Sequence, residues 1–204
     1  RVGAVLYPLY GGGAAGEALT RILLGERYPS GHLQHTLART LEDYPSTAGF
    51  HESQYYVNYT EDIFVGYRYF ETFAPEKVVY PFGYGLSYTT FKFGKGKVVK
   101  GAEGTEFVVK VKNTGKHDGD NVVQLYVSRP DDTEGPIKTL RGYKRVSLKA
   151  GETAEVRIPI DEETFLWWNP ESGRMNPMAG EYVLHYGDTS DDAGLKQIKY
   201  VYSK

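Results

Sequence analysis

The 204-residue chain contains no cysteine. That absence excludes disulfides, cysteine-ligated zinc or iron–sulfur sites and a cysteine nucleophile together, so any metal chemistry would rest on histidines and carboxylates alone. Neither sign of charge dominates: 24 Lys and Arg against 26 Asp and Glu leave a formal net charge of −2. No block of five or more like charges occurs, which argues against nucleic acid or a membrane surface as a partner, and there is no acidic tail. Long apolar runs are missing too. The run from Val2 to Leu6 is already broken by Gly3, far short of the roughly 18 to 20 residues that span a bilayer. What is present is 40% hydrophobic and 14% aromatic residues, enough for a sizeable core. At about 150 residues per domain, the length predicts one to two domains.

The distribution along the chain is uneven. Residues 1–90 carry 12 of the 18 tyrosines and a single lysine, Lys77, whereas residues 91–204 carry 6 tyrosines and 13 lysines. This change of character, next to Gly94-Lys95-Gly96-Lys97, predicts a boundary near residue 90. The chain opens on Arg1-Val2-Gly3-Ala4-Val5-Leu6-Tyr7 with no initiator Met and no leading turn, and it reads as a fragment.

Val2–Tyr7 has the pattern of a strand covered on both faces. Gly11-Gly12-Gly13 then makes a tight loop, and the apolar spacing from Ala14 to Leu24 predicts a helix closed by Gly25. Tyr28-Pro29-Ser30-Gly31 and Asp43-Tyr44-Pro45-Ser46 mark a loop-rich stretch. Val57–Phe70 and Pro81–Tyr88 read as extended segments and ordered loops. Beyond residue 97 the period changes to two. Phe107, Val109 and Val111 alternate with their neighbours, as do Val123, Leu125 and Val127, then Ala154, Val156, Ile158 and Ile160, then Tyr182, Leu184 and Tyr186, with a last run over Gln197–Tyr202. About seven short strands predict an immunoglobulin-like or fibronectin type III-like sandwich. The residues alone therefore predict an opening strand, glycine loop and helix followed by tyrosine-rich connecting loops over 1–90, and an all-β sandwich over 91–204.

Several motifs invite a chemical reading. Gly11-Gly12-Gly13-Ala14-Ala15-Gly16 is a literal G-x-G-x-x-G, but the acidic residue that should end a second parallel strand about 20 positions on is missing, which favours a tight strand-to-helix turn. His32 and His35 are three apart without a carboxylate to complete a ligand set. His51-Glu52 and Glu61-Asp62 are the densest polar pairs of the tyrosine-rich region, read as loop charges rather than a catalytic pair. Trp167-Trp168 with Tyr182 and Tyr186 could stack on sugar rings, although sandwich core is the commoner fate of such residues. Asn58-Tyr59-Thr60 is a glycosylation sequon.

Longer stretches carry a resemblance. Gly16-Glu17-Ala18-Leu19, Tyr28-Pro29-Ser30-Gly31-His32-Leu33 and Leu41-Glu42-Asp43-Tyr44-Pro45 are similar to the closing part of the α/β-sandwich domain of glycoside hydrolase family 3 β-glucosidases. Glu61-Asp62-Ile63-Phe64-Val65-Gly66-Tyr67-Arg68-Tyr69-Phe70 and Tyr80-Pro81-Phe82-Gly83-Tyr84-Gly85-Leu86-Ser87-Tyr88 resemble two further hallmark stretches. Val109-Lys110-Val111-Lys112-Asn113-Thr114-Gly115, Leu140-Arg141-Gly142-Tyr143 and Leu148-Lys149-Ala150-Gly151-Glu152-Thr153 resemble its fibronectin type III-like domain. The resemblance implies that residues 1–90 are an α+β remnant of an α/β sandwich, followed by an all-β immunoglobulin-like (fibronectin type III-like) sandwich over 91–204, and it implies release of terminal β-linked glucose with retention, with no metal or organic cofactor. It also implies a nucleophilic Asp on a (β/α)₈ barrel and an acid/base Glu upstream of Arg1. No catalytic residue is therefore expected in this chain, which alone would be inactive. The expected partners are a β-glucoside or oligosaccharide substrate and the body carrying the barrel and the rest of the α/β domain. Tyr55, Tyr56 and Tyr59, with the loops around Tyr67 and Tyr69, are expected to border the substrate pocket or pack on that body. The alternative is a stand-alone sandwich module, residues 91–204, that binds carbohydrate or protein.

Overall fold

The computed structural model describes residues 2–50, 52–101 and 104–203, so Arg1 and His51 lie outside the described residues. The strand expected over Val2–Tyr7 is not formed; these residues run as irregular, exposed backbone. A buried strand needs neighbours that satisfy its amides and cover its faces, and among the described residues none lies beside this one. The helix that follows does form, as α1 (Ala15–Leu23). Gly25 closes it at φ 74°, its amide donating to the Ile22 carbonyl (3.0 Å) while the Glu26 amide reaches the Arg21 carbonyl (2.9 Å). No residue of α1 is buried. The Tyr88 hydroxyl, donating to the Ile22 carbonyl at 2.8 Å, ties the helix to the rest of the chain.

The loop-rich stretch holds only short elements: β1 (Leu37–Ala38), α2 (Thr47–Phe50), α3 (Tyr67–Phe73) and β2 (Val78–Tyr80), with β1 and β2 paired antiparallel. Helix α3 corrects the expectation of extended backbone over its span. Seven residues are too few to be helical by propensity; packing holds them. Phe70 is buried edge-on against Tyr44 (ring centroids 5.4 Å apart), and Phe73 packs on Phe64 (4.8 Å).

The second part consists of β3 (Phe91–Phe93), β4 (Lys97–Gly101), β5 (Gly104–Asn113), β6 (Gly119–Ser128), β7 (Thr139–Leu148), β8 (Thr153–Ile160), β9 (Leu166–Asn169), β10 (Arg174–Pro177), β11 (Gly180–Gly187) and β12 (Lys196–Tyr202). One sheet runs β12-β11-β6-β7. The other centres on β5, with β8 along one edge and β4 then β3 along the other. Phe107, Val109 and Val111 of β5 interlock with Leu125 and Val127 of β6, Val156 and Ile158 of β8, and Leu184 and Tyr186 of β11 in one core. The two-residue alternation thus puts its apolar set between the sheets, as the sequence predicts. Strands β9 and β10 form a separate hairpin.

Asn113 explains why Asn-Thr-Gly closes β5. Fully buried, it donates through Nδ2 to the His117 and Leu148 carbonyls (2.8 and 3.1 Å) and accepts through Oδ1 from Thr89 Oγ1 and the Gly115 amide (2.5 and 3.0 Å). All four hydrogen-bonding positions of its amide are used.

Candidate functional site

The three tyrosines singled out from the sequence lie on one surface loop, between α2 and α3. Tyr55 is 94% exposed, Tyr59 83% and Tyr56 57%. No ring contact links the three among the described residues. Phe64 anchors the loop on Phe73, and the base folds back on α2, where a Cβ on Gly49 would meet the Asn58 carbonyl at 3.2 Å. Asn58 Nδ2 donates to Glu52 Oε2 (2.9 Å). Two positions at the far side have positive φ, Asp62 (50°) and Gly66 (61°), and the buried Glu61 Oε2 has no hydrogen-bond partner among the described residues. Left-handed backbone at a non-glycine residue and an unsatisfied buried carboxylate oxygen both cost free energy. A loop that keeps them while turning its rings to solvent is shaped for something other than its own stability.

A second cluster lies where α3 and the segment around Pro81–Tyr84 cover the outer face of the β12-β11-β6-β7 sheet. Tyr67 packs edge-on against the buried Tyr126 (5.6 Å) and its hydroxyl accepts from the Leu140 amide (2.8 Å). Burial pushes the Tyr126 phenol far up, and its hydroxyl donates to Gln124 Oε1. Beneath α3, the side chain of Lys138 is 1% exposed and stands 2.6 Å from Asp192 Oδ1 and 3.5 Å from Glu71 Oε2. Ser190 Oγ donates to Glu71 Oε1 (2.8 Å), and its amide donates to the Phe82 carbonyl (2.8 Å). Desolvation raises the Glu71 carboxyl above its ordinary value in spite of Lys138. These groups clamp the first part of the chain onto the sandwich, and Glu71 also lines a small cavity of about 180 Å³ together with Pro75, Val78, Val79, Pro81 and Asp191. Nothing in the sequence marked Lys138 for burial, because its partners lie 67 and 54 residues away.

Glycines admit the crossing segment. Gly83 (φ 84°) sits so close to the sheet that a Cβ would meet Gln124 Nε2 at 2.5 Å and the Asp188 carbonyl at 2.6 Å, and one on Gly85 would meet the Gly31 carbonyl at 2.6 Å. His32 Nδ1 donates to the Gly83 carbonyl (2.6 Å), so this histidine braces the segment. His35 packs edge-on with Tyr7 (6.4 Å). Gly11 approaches Ala15 so closely that a Cβ would lie 2.2 Å from the Ala15 Cβ, as a tight turn into α1 requires. The tryptophan pair divides: Trp167 packs on the core and donates to Asp132 Oδ2 (2.6 Å) under the Arg141 guanidinium, while Trp168 is exposed.

Residues 1–88 match the glycosyl hydrolase family 3 C-terminal domain, and residues 121–190 match the fibronectin type III-like domain. The chain is 43% identical to beta-glucosidase A of Butyrivibrio fibrisolvens, an alignment that covers 100% of this chain and 27% of that protein. It is 34% identical to the xylan 1,4-beta-xylosidase of Xylanibacter ruminicola, over 96% of this chain and 21% of that one. The crystal structure of the beta-glucosidase from Kluyveromyces marxianus in complex with glucose superposes with a TM-score of 0.82 at 36% identity, over 93% of this chain and 23% of that one. The chain spans about a quarter of the length of these relatives. With both of its parts matched in the order in which they stand here, the chain belongs to glycoside hydrolase family 3 and corresponds to the C-terminal part of its β-glucosidases.

Proposed function

We propose that this chain is the C-terminal part of a retaining, exo-acting β-glucosidase that releases terminal β-D-glucosyl residues, and that it divides near residue 90 into the end of the α/β domain and the sandwich. In such a reaction one carboxylate attacks the anomeric carbon, and the bond to the leaving oxygen breaks as a second carboxylic acid protonates it. Water, deprotonated by that second group, then displaces the enzyme and restores the configuration; the two carboxyl groups stand about 5 Å apart. Both are assigned to the barrel and the upstream α/β segment, carried on another polypeptide or on a longer form of this one. No carboxylate of this chain receives a chemical role, Glu52 and Glu61 included.

The observation that carries the proposal is where the apolar surface lies. Val2, Val5, Tyr10, Leu23, Leu24 and Leu86 are exposed together with the tyrosines of the 55–59 loop, an amount of bare apolar surface that marks an interface. The remainder of the enzyme is the body that would cover it, and the ringed loop would border the substrate pocket. Relatives acting on glucosides and on xylosides are alike over this region, which supports placing the choice of sugar elsewhere.

Tyr55, Tyr56 and Tyr59 provide the test. In the complete enzyme, truncating Tyr55 or Tyr59 to alanine is expected to lower kcat/KM on an aryl β-glucoside by about tenfold, the loss of one ring contact of roughly 1 kcal/mol or slightly more. Thermal stability should fall only slightly, since a ring that borders an open pocket is covered in part and buries little area. Wild-type kcat/KM in all three alanine variants would remove this loop from the pocket.

A further inference from the structure

Lysines scattered through residues 92–112 of the sequence converge on one face of the fold. In β5, Phe107, Val109 and Val111 point into the core, so Glu106, Lys110 and Lys112 point outward, while Val108 faces the same way but is covered. The register puts Lys92 of β3 directly opposite Lys112, and Lys97 of β4 opposite Val108. Lys95 joins them from a turn built for the purpose. The Gly94 amide donates to the Lys110 carbonyl (2.8 Å) and the Gly96 amide to the Tyr186 hydroxyl (2.8 Å), and a Cβ on Gly96 would meet the Phe107 ring at 2.7 Å. Lys95, Lys97 and Lys110 line a groove of about 330 Å³ on this face, with Glu155 at its side.

The two carboxylates of the face are already engaged: Arg157 donates to Glu106 Oε2 (2.7 Å) and to Glu155 Oε1 (2.5 Å). Lys92, Lys95, Lys97, Lys110 and Lys112 form no ion pair among the described residues. Five ammonium groups without an ion pair therefore stand together, with Glu155 opposite Lys110 in the register as the nearest carboxylate across the strands, on a chain whose net charge is −2. Like charges directly opposite across a sheet are destabilising, so the Lys92–Lys112 pair opposes the fold that displays it. The linear sequence hid this patch because no two of the five lysines are adjacent.

We propose that this face binds an acidic polysaccharide, a linear chain of uronate carboxylates. Neighbouring strands lie about 4.8 Å apart and outward residues along one strand about 6.7 Å apart, which makes the face a flat array of point charges suited to a repeating anion. Nucleic acid is disfavoured by the same surface. No aromatic ring points outward from β3, β4, β5 or β8 to stack on bases, and the one guanidinium is held by two carboxylates, leaving no fork for a phosphate or a guanine edge. The inference is independent of the glycosidase reading.

The experiment measures binding of the 204-residue chain to polygalacturonate at 50 mM NaCl, with neutral dextran and a single-stranded oligonucleotide as comparisons. Expected are binding to polygalacturonate that weakens as salt rises, none to dextran, and an approximately tenfold or greater loss in the triple variant Lys92→Gln, Lys110→Gln, Lys112→Gln. The triple variant Lys144→Gln, Arg174→Gln, Lys199→Gln carries the same change of net charge on β7, β10 and β12, away from this face, and it should bind as the wild type does. Circular dichroism verifies that both variants fold. Absence of polygalacturonate binding, equal losses in the two variants, or tighter binding of the oligonucleotide would each overturn the proposal.

Discussion

Replacing Lys138 by methionine is expected to destabilise the chain by about 3 kcal/mol, measured by urea denaturation at pH 7. Methionine fills the volume and removes only the charge, so the loss is electrostatic. It leaves the Glu71 carboxylate, 7% exposed at its side chain, without the ammonium that faces it. The two carboxylates are not equivalent. Asp192 is 59% exposed and can turn to water, so Asp192→Asn should cost under about 1 kcal/mol. The double variant Glu71→Leu, Lys138→Met should regain most of the stability, because an apolar pair needs no desolvation of charge.

The pH dependence gives a second readout with a definite sign. Glu71 has a carboxyl raised above the ordinary 4.5, with burial the leading cause and Lys138 opposing it. A raised carboxyl binds its proton more tightly in the folded state, so its contribution is complete below about pH 4.5 and is lost as pH rises through the folded value. Removing Lys138 removes the opposing cause and raises the folded value further. The methionine variant should therefore lose more stability than the wild type between about pH 4.5 and neutrality, and the gap between them should narrow in acid.

Gly83→Ala is the second large effect, at about 3 kcal/mol. Two costs combine: φ of 84° disfavours any side chain, and the Cβ would lie 2.6 Å from the backbone carbonyl of Asp188, which cannot move without disturbing the sheet end. The Gln124 side chain can shift, but it holds the Tyr126 hydroxyl. Because the clash sits on the crossing segment, the first part of the chain should loosen while the sandwich persists. Hydrogen exchange should rise over α3 and β2 but not over β5 and β6. Gly12→Ala, where nothing lies within 4 Å of the new Cβ and φ is not left-handed, should leave both stability and exchange unchanged.

These junction effects were the part of the molecule that the sequence concealed. Strands β5, β6, β8 and β11 were legible because each buries one face between two sheets, and the period of two shows directly in Phe107, Val109 and Val111. Strand β7 was legible only as a motif. Its first residues are half-covered and its middle is exposed, with Val146 and Leu148 alone reaching the core, so no alternation marks Thr139–Leu148. Helix α3 was hidden because tertiary packing of Phe70 and Phe73, not propensity, holds its two turns. The Val2–Tyr7 pattern failed in the opposite direction, since apolar residues ask for a strand and supply no neighbour for it. The exposed tyrosine loop could be singled out by composition, but its left-handed Asp62 and its unsatisfied Glu61 oxygen are properties of the folded backbone.

The most direct measurement is hydrolysis of an aryl β-glucoside by the purified 204-residue chain, alone and co-expressed with a polypeptide carrying the barrel and the upstream part of the α/β domain. No turnover by the chain alone, and turnover that appears only when the two pieces copurify, is the result expected. Turnover by the isolated chain, undiminished after removal of every larger species, would contradict it.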